Sequence, residues 1–401
     1  MSTTLKNKVG LVSMFLFASA CMWSVDVNVT PPTLELTGIF AQFGDLSTEL
    51  NAELATIADD FETQVETDET IAKYDDQSDL ATGFANAGAS SASLGMLRSA
   101  QDFKLFSVAV STGAGLSLYS TDLFSDLDSA DFVKDEGDIY AGIAPQLVNG
   151  SVGINLGFLV DGLRATAKFG YVDIADGTIA DDVTFNSMSV GANVSYMLLK
   201  PKAVPLGLVR WRGLSVSTGL FYQRSKVEMN YVPEDEGYIA DTSLTLGDLG
   251  LTNAQLTAAG LSYTEATALG TIEMTPEINA KIETSTYTVP IGVSTGVRLL
   301  VIDLSVGAGV DLCWGSGEVS FDSTQEVTFQ ESDELATFID STPGEASVRN
   351  SSESDPQFLH PHLMIAAGLA LGPVRLEMPF LYYFDSDGNT FVTGVTLGIV
   401  W

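Results

Sequence analysis

From Ile302 to Trp314 every second residue is apolar: Ile302, Leu304, Val306, Ala308, Val310, Leu312 and Trp314. Between them lie Asp303, Ser305, Gly307, Gly309, Asp311 and Cys313. A period of two describes a strand with two unlike faces. The same pattern runs through Val152–Phe158, Leu163–Tyr171, Met188–Leu198, Leu214–Tyr222 and Val289–Val297. Soluble sheets alternate as well, but several of these runs far exceed the globular average of about 5–6 residues. Their second face is small and polar, as a lumen would be, and aromatics gather near segment ends at Tyr222, Trp314, Tyr382, Tyr383 and Phe384. In lipid only closure satisfies every strand edge. The expectation is an all-β chain, an antiparallel transmembrane β-barrel of about 10–14 strands, in the bacterial cell outer membrane and with its lipid as partner.

The last segment strengthens that reading. Phe391, Thr393, Val395, Leu397, Ile399 and Trp401 alternate to an aromatic end. A final strand of this form resembles the signal read by the barrel assembly machinery, and Phe391, Val395, Leu397, Ile399 and Trp401 are its candidate residues.

Charge narrows the partners. With 52 acidic and 18 basic residues the net charge is −34, which argues against nucleic acid, because neutralising phosphates takes Lys and Arg. It equally disfavours docking on an anionic membrane surface. Yet mean hydropathy is +0.21 and only 17% of residues are charged. The acids belong in loops, while long uncharged segments face an apolar medium.

At the start, Lys6 and Lys8, an apolar run Val9–Phe17 and Ala18-Ser19-Ala20 read as a secretory signal peptide over 1–20. Cys21 follows directly and is a candidate lipidation residue. The segment lacks the Leu of a standard lipobox, so ordinary cleavage is the simpler account. Cys313, the second of two cysteines, sits in an expected strand, which disfavours a disulfide or cysteine–metal framework.

Residues 21–102 form an acidic N-terminal segment. Leu46, Leu50, Leu54, Ile57 and Phe61 recur at helical spacing, and Asp45–Asp79 carries twelve acids against Lys73 alone. Asn86–Gly95 is rich in small residues, suiting either a flexible periplasmic linker or a plug in the barrel, with the linker slightly favoured. The barrel is expected over 103–401. Gly162, Leu299–Val301 and Pro373 mark tight turns, long loops cover 233–281 and 321–357, and a short helix is expected around Asp248–Gly270.

Enzyme chemistry finds little support. Gly292-Val293-Ser294-Thr295-Gly296 has the spacing of a nucleophile elbow, but lies inside an alternating strand where that motif needs strand–turn–helix. His360 and His362, the only histidines, read as strand-start residues at the membrane interface; the sharper alternative is a Ser–His pair of the outer-membrane phospholipase kind. Two histidines fall short of a metal site. Asp385-Ser386-Asp387-Gly388-Asn389 begins like a calcium loop but its glycine comes early, and a hairpin turn accounts for it. The expectation is therefore no enzyme, no cofactor and no metal.

Several stretches resemble the leptospiral surface adhesin-type outer-membrane proteins of spirochaetes: Leu80–Ala87, Asp102–Val108, Lys200-Pro201-Lys202 through Arg210-Trp211-Arg212-Gly213-Leu214, Thr288-Val289-Pro290 and Gly394–Trp401. The likeness covers roughly 80–401 and implies a surface-exposed protein, sometimes lipid-anchored, with host matrix as a proposed partner. A small-residue segment ahead of a barrel also resembles the fatty-acid transporter family, although the Asn-Pro-Ala hatch motif of that family is missing here. Three functions stay open: a channel or transporter for small or hydrophobic solutes, a surface adhesin meeting a host protein through its long loops, and a structural barrel with no ligand beyond lipid.

Overall fold

The computed structural model describes residues 26–38, 40–43, 46–67, 77–97, 103–119, 140–175, 183–203, 209–231, 238–247, 251–332, 336–386 and 388–401. The expected signal peptide and Cys21 lie outside them. In chain order the elements begin with β1 (Asp26–Thr30), β2 (Thr33–Leu36), α1 (Leu46–Thr67) and α2 (Gln77–Ser91). Next come β3 (Phe106–Tyr119), β4 (Tyr140–Asn155), β5 (Leu163–Ile174), β6 (Val183–Leu199), β7 (Lys202–Ala203), β8 (Val209–Tyr231) and β9 (Tyr238–Thr245). After α3 (Asn253–Ala258) follow β10 (Ala268–Leu299), β11 (Ile302–Glu331), β12 (Ile339–Thr342), β13 (Gly344–Ser354), β14 (Leu359–Leu371), β15 (Val374–Phe384) and β16 (Asn389–Val400).

The strand order β11-β14-β15-β16-β3-β4-β5-β6-β8-β10 returns to its start because β10 also pairs with β11, closing a ring of ten strands. Strands β13 and β1 add to β11, and β9 to β10. Every register recorded around the ring is antiparallel, including β16 on β3, which joins the C-terminal strand to the first strand of the ring. The tight turns fall where the sequence places them. Gly162 and Gly372 take positive φ of 87° and 63°, and Leu300 holds 57°, a left-handed conformation without glycine's freedom. Beside Gly162, Lys200 hydrogen-bonds Asp161 in an exposed ion pair. That bond, and then the lysine's charge, hold the aspartate below the usual carboxylate range and raise the lysine.

The chain forms two compact units. Unit 2 comprises Asp76–Glu228, Lys281–Val319 and Ser352–Trp401. Its strands turn apolar side chains outward: Val108 and Val110, Val152 and Ile154, Leu304 and Val306, Leu363 and Ile365, Val395, Leu397 and Ile399 are all exposed. Their sequence neighbours Ser107, Ser151, Asp303, Ser305 and Thr396 are buried. This is a globular protein turned inside out, and an apolar surface of that extent requires lipid. Aromatics bound it, with Phe106 stacked on Trp401 at one level and Tyr382 against Phe384 and Phe391 at the other. Phe391 in β16 and Trp401, which directly follows that strand, are ten residues apart. At about 3.3 Å per residue and a tilt near 40°, that spans roughly 25 Å, the height of the apolar band of outer-membrane barrels. The chain is an outer-membrane β-barrel.

Unit 1 comprises Met1–Asp75, Met229–Ala280 and Ser320–Ser351. It has its own core, in which Leu46, Leu50 and Leu54 of α1 pack with Leu246, Leu256 and Phe329. The spacing of four puts those leucines on one helical face. Asn51 on the same helix grips β2, accepting from Leu34 N at 2.8 Å and donating to Leu34 O at 3.0 Å, as a strand partner would. Helix α3 opens on a capping box of Thr252 and Gln255.

Three expectations differ from the structure. The N-terminal segment 21–102 is divided between the two units at Asp75 and contains two strands, β1 and β2. The segments expected as long loops, 233–281 and 321–357, hold strands: β10 and β11 reach into them, joined by β9, β12 and β13. Their sequences interrupt the apolar face with Pro276, Ser323 and Gln325, which reads as loop, although Val327 and Phe329 pack in the core of unit 1. The small-residue stretch is not a linker either, for most of it is helix α2.

Ile365 lies midway along β14 with 61% of its surface exposed. Ile365→Arg is expected to cost about 2–4 kcal/mol of barrel stability in a bilayer, read as a lower denaturant midpoint. A cost under about 0.5 kcal/mol would contradict the assigned lipid-facing side.

Candidate functional site in the barrel lumen

Helix α2 packs against the inner faces of β3, β4 and β16 and is enclosed by the ring. Ala81, Ala85, Asn86, Ala87, Ala89, Ser90 and Ser91 are fully buried. A helix buried on all sides in a polar lumen has no apolar stripe to show, and small residues let it approach the wall. A methyl group added at Gly142 would collide with the backbone of Gly83, and one at Gly115 would sit 2.6 Å from Ala87 O.

A helix end leaves its last carbonyls without intrahelical donors. Here the wall supplies them. Thr288 Oγ1 donates to Ala89 O at 2.8 Å, and Tyr383 OH to Ser90 O at 3.1 Å. Gln146 Nε2 donates to Ser91 O, and Lys168 Nζ to Ala92 O at 2.8 Å. Lys168 also meets Gln146 Oε1 at 2.8 Å, while Ser91 Oγ and Gln146 Nε2 converge on Gln223 Oε1 at 3.2 and 2.5 Å. Four consecutive carbonyls are thus held by side chains of four strands, β10, β15, β4 and β5. A cation at the negative end of the helix adds about 0.3–1 kcal/mol, more when buried. Earlier in the helix, Thr82 meets Ser354 at 2.5 Å and Asn86 Oδ1 accepts from Gln357 N at 2.8 Å.

The two histidines face this lumen, not the membrane interface. His360 and His362 alternate inward on β14 and both are buried. His360 Nδ1 lies 2.9 Å from Asp385 Oδ1, and His362 Nδ1 lies 3.4 Å from Asp311 Oδ1. Tyr383 links the second pair to the helix: its hydroxyl lies 2.9 Å from Asp311 Oδ2 as well as 3.1 Å from Ser90 O and shares its one proton between them. Ser90 Oγ is 3.5 Å from His360 Nδ1, the same nitrogen that faces Asp385. A hydrolytic relay needs serine and carboxylate on opposite ring nitrogens, so this trio lacks that geometry. Ser294 stays within β10, as its alternation implied. Asp385 begins the turn between β15 and β16, as the hairpin reading expected, and Asp387 lies outside the described residues. Among the described residues no group of three His, Cys, Asp or Glu side chains is placed to hold a metal.

Closer to the tight turns, Arg298 grips Asp303 through two bonds of 2.8 and 2.9 Å, with Arg212 at 3.4 Å from the same carboxylate. Below the helix end is a cavity of about 80 Å³, to which Ser93, Met96, Phe103, Arg164, Asn193 and Ser195 contribute. Arg164 lies over the Phe103 ring, 5.6 Å from its centroid. None of the described residues lining the cavity is a carboxylate.

Of the residues that form this site, reading the sequence singled out the stretch Asn86–Gly95 as linker or plug, and named the histidines, Tyr383 and Asp385 for other settings. Lys168 and Arg164 were nonetheless visible as charges on the small, polar face of a strand. Among the candidate assembly residues, Val395, Leu397, Ile399 and Trp401 are exposed on the outer face and Phe391 is partly exposed there.

A family model described as Lsa36-like matches residues 33–401. No curated protein matches. Among solved structures the chain is similar to the toluene transporter TbuX of Ralstonia pickettii, at 8% identity over 80% of this chain and 93% of that one, with a TM-score of 0.22. It is similar to the outer-membrane protease OmpT of Escherichia coli, at 9% identity over 75% and 98%, TM-score 0.30. The translocator domain of the autotransporter NalP from Neisseria meningitidis aligns at 7% identity over 74% and 89%, TM-score 0.26. Scores of this size do not establish a shared topology, so the fold stands on the strand order given above.

Lys168→Met and Gln146→Leu each strip donors from the helix end. Hydrogen bonds to charged groups contribute about 1.5–3 kcal/mol and neutral ones about 0.5–1.5. Hydrogen exchange at amides 80–91 is expected to speed up in both variants, more for Lys168→Met, with β-strand protection unchanged. Uniform acceleration across the barrel would show that the clamp supports the ring instead of the helix.

Proposed function

The chain belongs to the Lsa36-like family, and on that premise we propose that it is an outer-membrane channel or transporter for small solutes, held shut by α2. The observation that carries this is the clamp on α2. The helix fills the lumen with small residues at the contact, and its end is fastened by hydrogen bonds and one lysine, while apolar packing is confined to small separate clusters such as Leu94 with Leu381 and Val392. Polar fastenings of that kind exchange readily with water once loosened, whereas a barrel needing only rigidity is better served by packing large side chains into the lumen.

Deleting residues 77–97 is expected to leave a folded, heat-modifiable barrel that conducts in planar bilayers, where the full chain conducts little. Gly142→Leu, which obstructs the seat of α2, is expected to do the same in part. If the deletion variant folds and conducts no better than the full chain, the channel reading is lost.

A second reading has its own support. Unit 1 is a folded body with a leucine and phenylalanine core, built from insertions a barrel does not require. Folded insertions on a rigid scaffold commonly carry binding, which suits a surface adhesin. Replacing 232–267 and 332–357 with short turns is then expected to abolish binding to host matrix protein in a solid-phase assay while the barrel stays heat-modifiable. Undiminished binding would remove this reading.

A further inference from the structure

We infer that the tight-turn end of the barrel carries a binding site for an anionic phospholipid headgroup, built from Lys104, Lys200 and Lys202 around the β4–β5 turn. The site concerns the outer side of the wall and stands apart from the channel reading. Three observations point there.

The first is the side on which the lysines lie. Phe106 and Val108 of β3, and Tyr196 and Leu198 of β6, are exposed on the outer face. Lys104 comes two residues before Phe106 and Lys200 two after Leu198, so each continues an outward row. Lys202 of β7 pairs with Trp211 of β8, and paired residues share a face. Trp211 Nε1 donates to Thr295 Oγ1 at 2.9 Å, and Thr295 shares its row with the outward Val293 and Val297 of β10. All three lysines are exposed.

The second is the turn they flank. Phe158, Leu159 and Val160 are 77%, 66% and 48% exposed. Three consecutive apolar side chains on a turn are out of place in water and fit an apolar medium. The turn is firmly built. Asn155 Oδ1 accepts from Gly157 N and Leu159 N donates to Leu156 O, both at 2.8 Å, while Leu163 N donates to Val160 O at 3.0 Å. Asn155 Nδ2 donates to Lys104 O at 3.0 Å, which sets that lysine at one end of the turn. Lys200 meets Asp161 at the other. The apolar surface runs on from Val152 and Ile154 of the wall, so the lipid that covers them reaches the turn.

The third is level and charge. Phe106 pairs with Ile154 and stacks on Trp401. The turn therefore lies beyond the aromatic level, in a headgroup layer about 5–8 Å deep. The chain carries a net −34 and as a whole repels an anionic surface. That charge is unevenly spread: residues 155–164 and 198–213 hold five basic residues and one carboxylate, Asp161. Apolar side chains in this layer with lysines around them match a lipid whose phosphate has no ammonium group to balance it.

The probe is phosphatidylglycerol, with phosphatidylcholine as its zwitterionic counterpart, each brominated on its acyl chains in turn. The full-length protein is reconstituted in vesicles of the two lipids. Quenching is read in a variant that keeps Trp211 and has phenylalanine at the other three tryptophans. Phosphatidylglycerol is expected to be preferred beside Trp211 about fivefold or more, since each lysine near an anionic headgroup adds about that factor. Raised salt is expected to shrink the preference, and Lys200→Gln combined with Lys202→Gln to bring it close to one. A protein keeping only Trp314, near the far end of the apolar wall, is expected to show no preference. Equal quenching by both lipids at Trp211, the same preference at Trp314, or a preference unchanged in the lysine variant would overturn the assignment. Native mass spectrometry of the unaltered barrel needs no variant and is expected to retain phosphatidylglycerol over phosphatidylcholine. Equal retention would overturn the site even if the tryptophan variants fail to fold.

Discussion

Everything in the membrane-spanning unit depends on the pairing of β10 with β11 across the two-residue turn at Leu300–Val301. Without that seam the ring would be an open sheet, with two strand edges of unpaired N–H and C=O groups in hydrocarbon, where each costs several kcal/mol. Closure releases the side chains from any part in satisfying the backbone. The outer face can then be wholly apolar and the inner face wholly given to recognising what lies within. Leu300 accepts a left-handed backbone conformation at this turn, a strain of order 1–3 kcal/mol for a non-glycine residue. That cost is small beside the edges it helps to hide.

What lies within is a helix that could not stand alone. Apart from Leu80 and Phe84 its residues are small or polar and bury little apolar surface, and its two glycines, Gly83 and Gly88, weaken it further. Its stability comes from the lumen: small residues let it touch the wall, glycines in the wall make room, and side chains replace the water its terminal carbonyls would otherwise bind. The histidine and aspartate pairs around Tyr383 belong to the same lining, which explains their burial without calling on chemistry. The two arginines on Asp303 show the same logic nearer the turns, with a buried carboxylate kept only because guanidinium groups surround it.

Much of the barrel was legible because lipid imposes a pattern on sequence. Val152, Ile154, Leu304, Val306, Leu397 and Ile399 must be apolar wherever they face hydrocarbon, so period-two alternation discloses both the strand and its outward side. The same rule goes silent beyond the lipid. The parts of β10 and β11 that belong to unit 1 interrupt the apolar face with Pro276, Ser323 and Gln325 and read as loop, although they are strand. Helix α2 was legible only as a small-residue stretch that suited a plug as well as a linker, for the opposite reason. Amphipathicity marks a helix lying between water and a core, and a helix surrounded by a polar wall has neither side. Lys168 and Gln146 are ordinary inward-facing residues by sequence; only the register that brings β4, β5, β10 and β15 around one helix end makes them a set.

The four donors to that helix end come from strands separated by most of the chain, from Gln146 to Tyr383. No fragment of the ring contains the seat: β4 and β5 alone offer half of it, and the tyrosine arrives only with the penultimate strand. Seating of α2 therefore reports that the strands on both sides of the seam are in register. Helix α2 is the last piece in energetic terms although it precedes every strand of the ring in the chain, because the same pairing that completes the wall completes its seat.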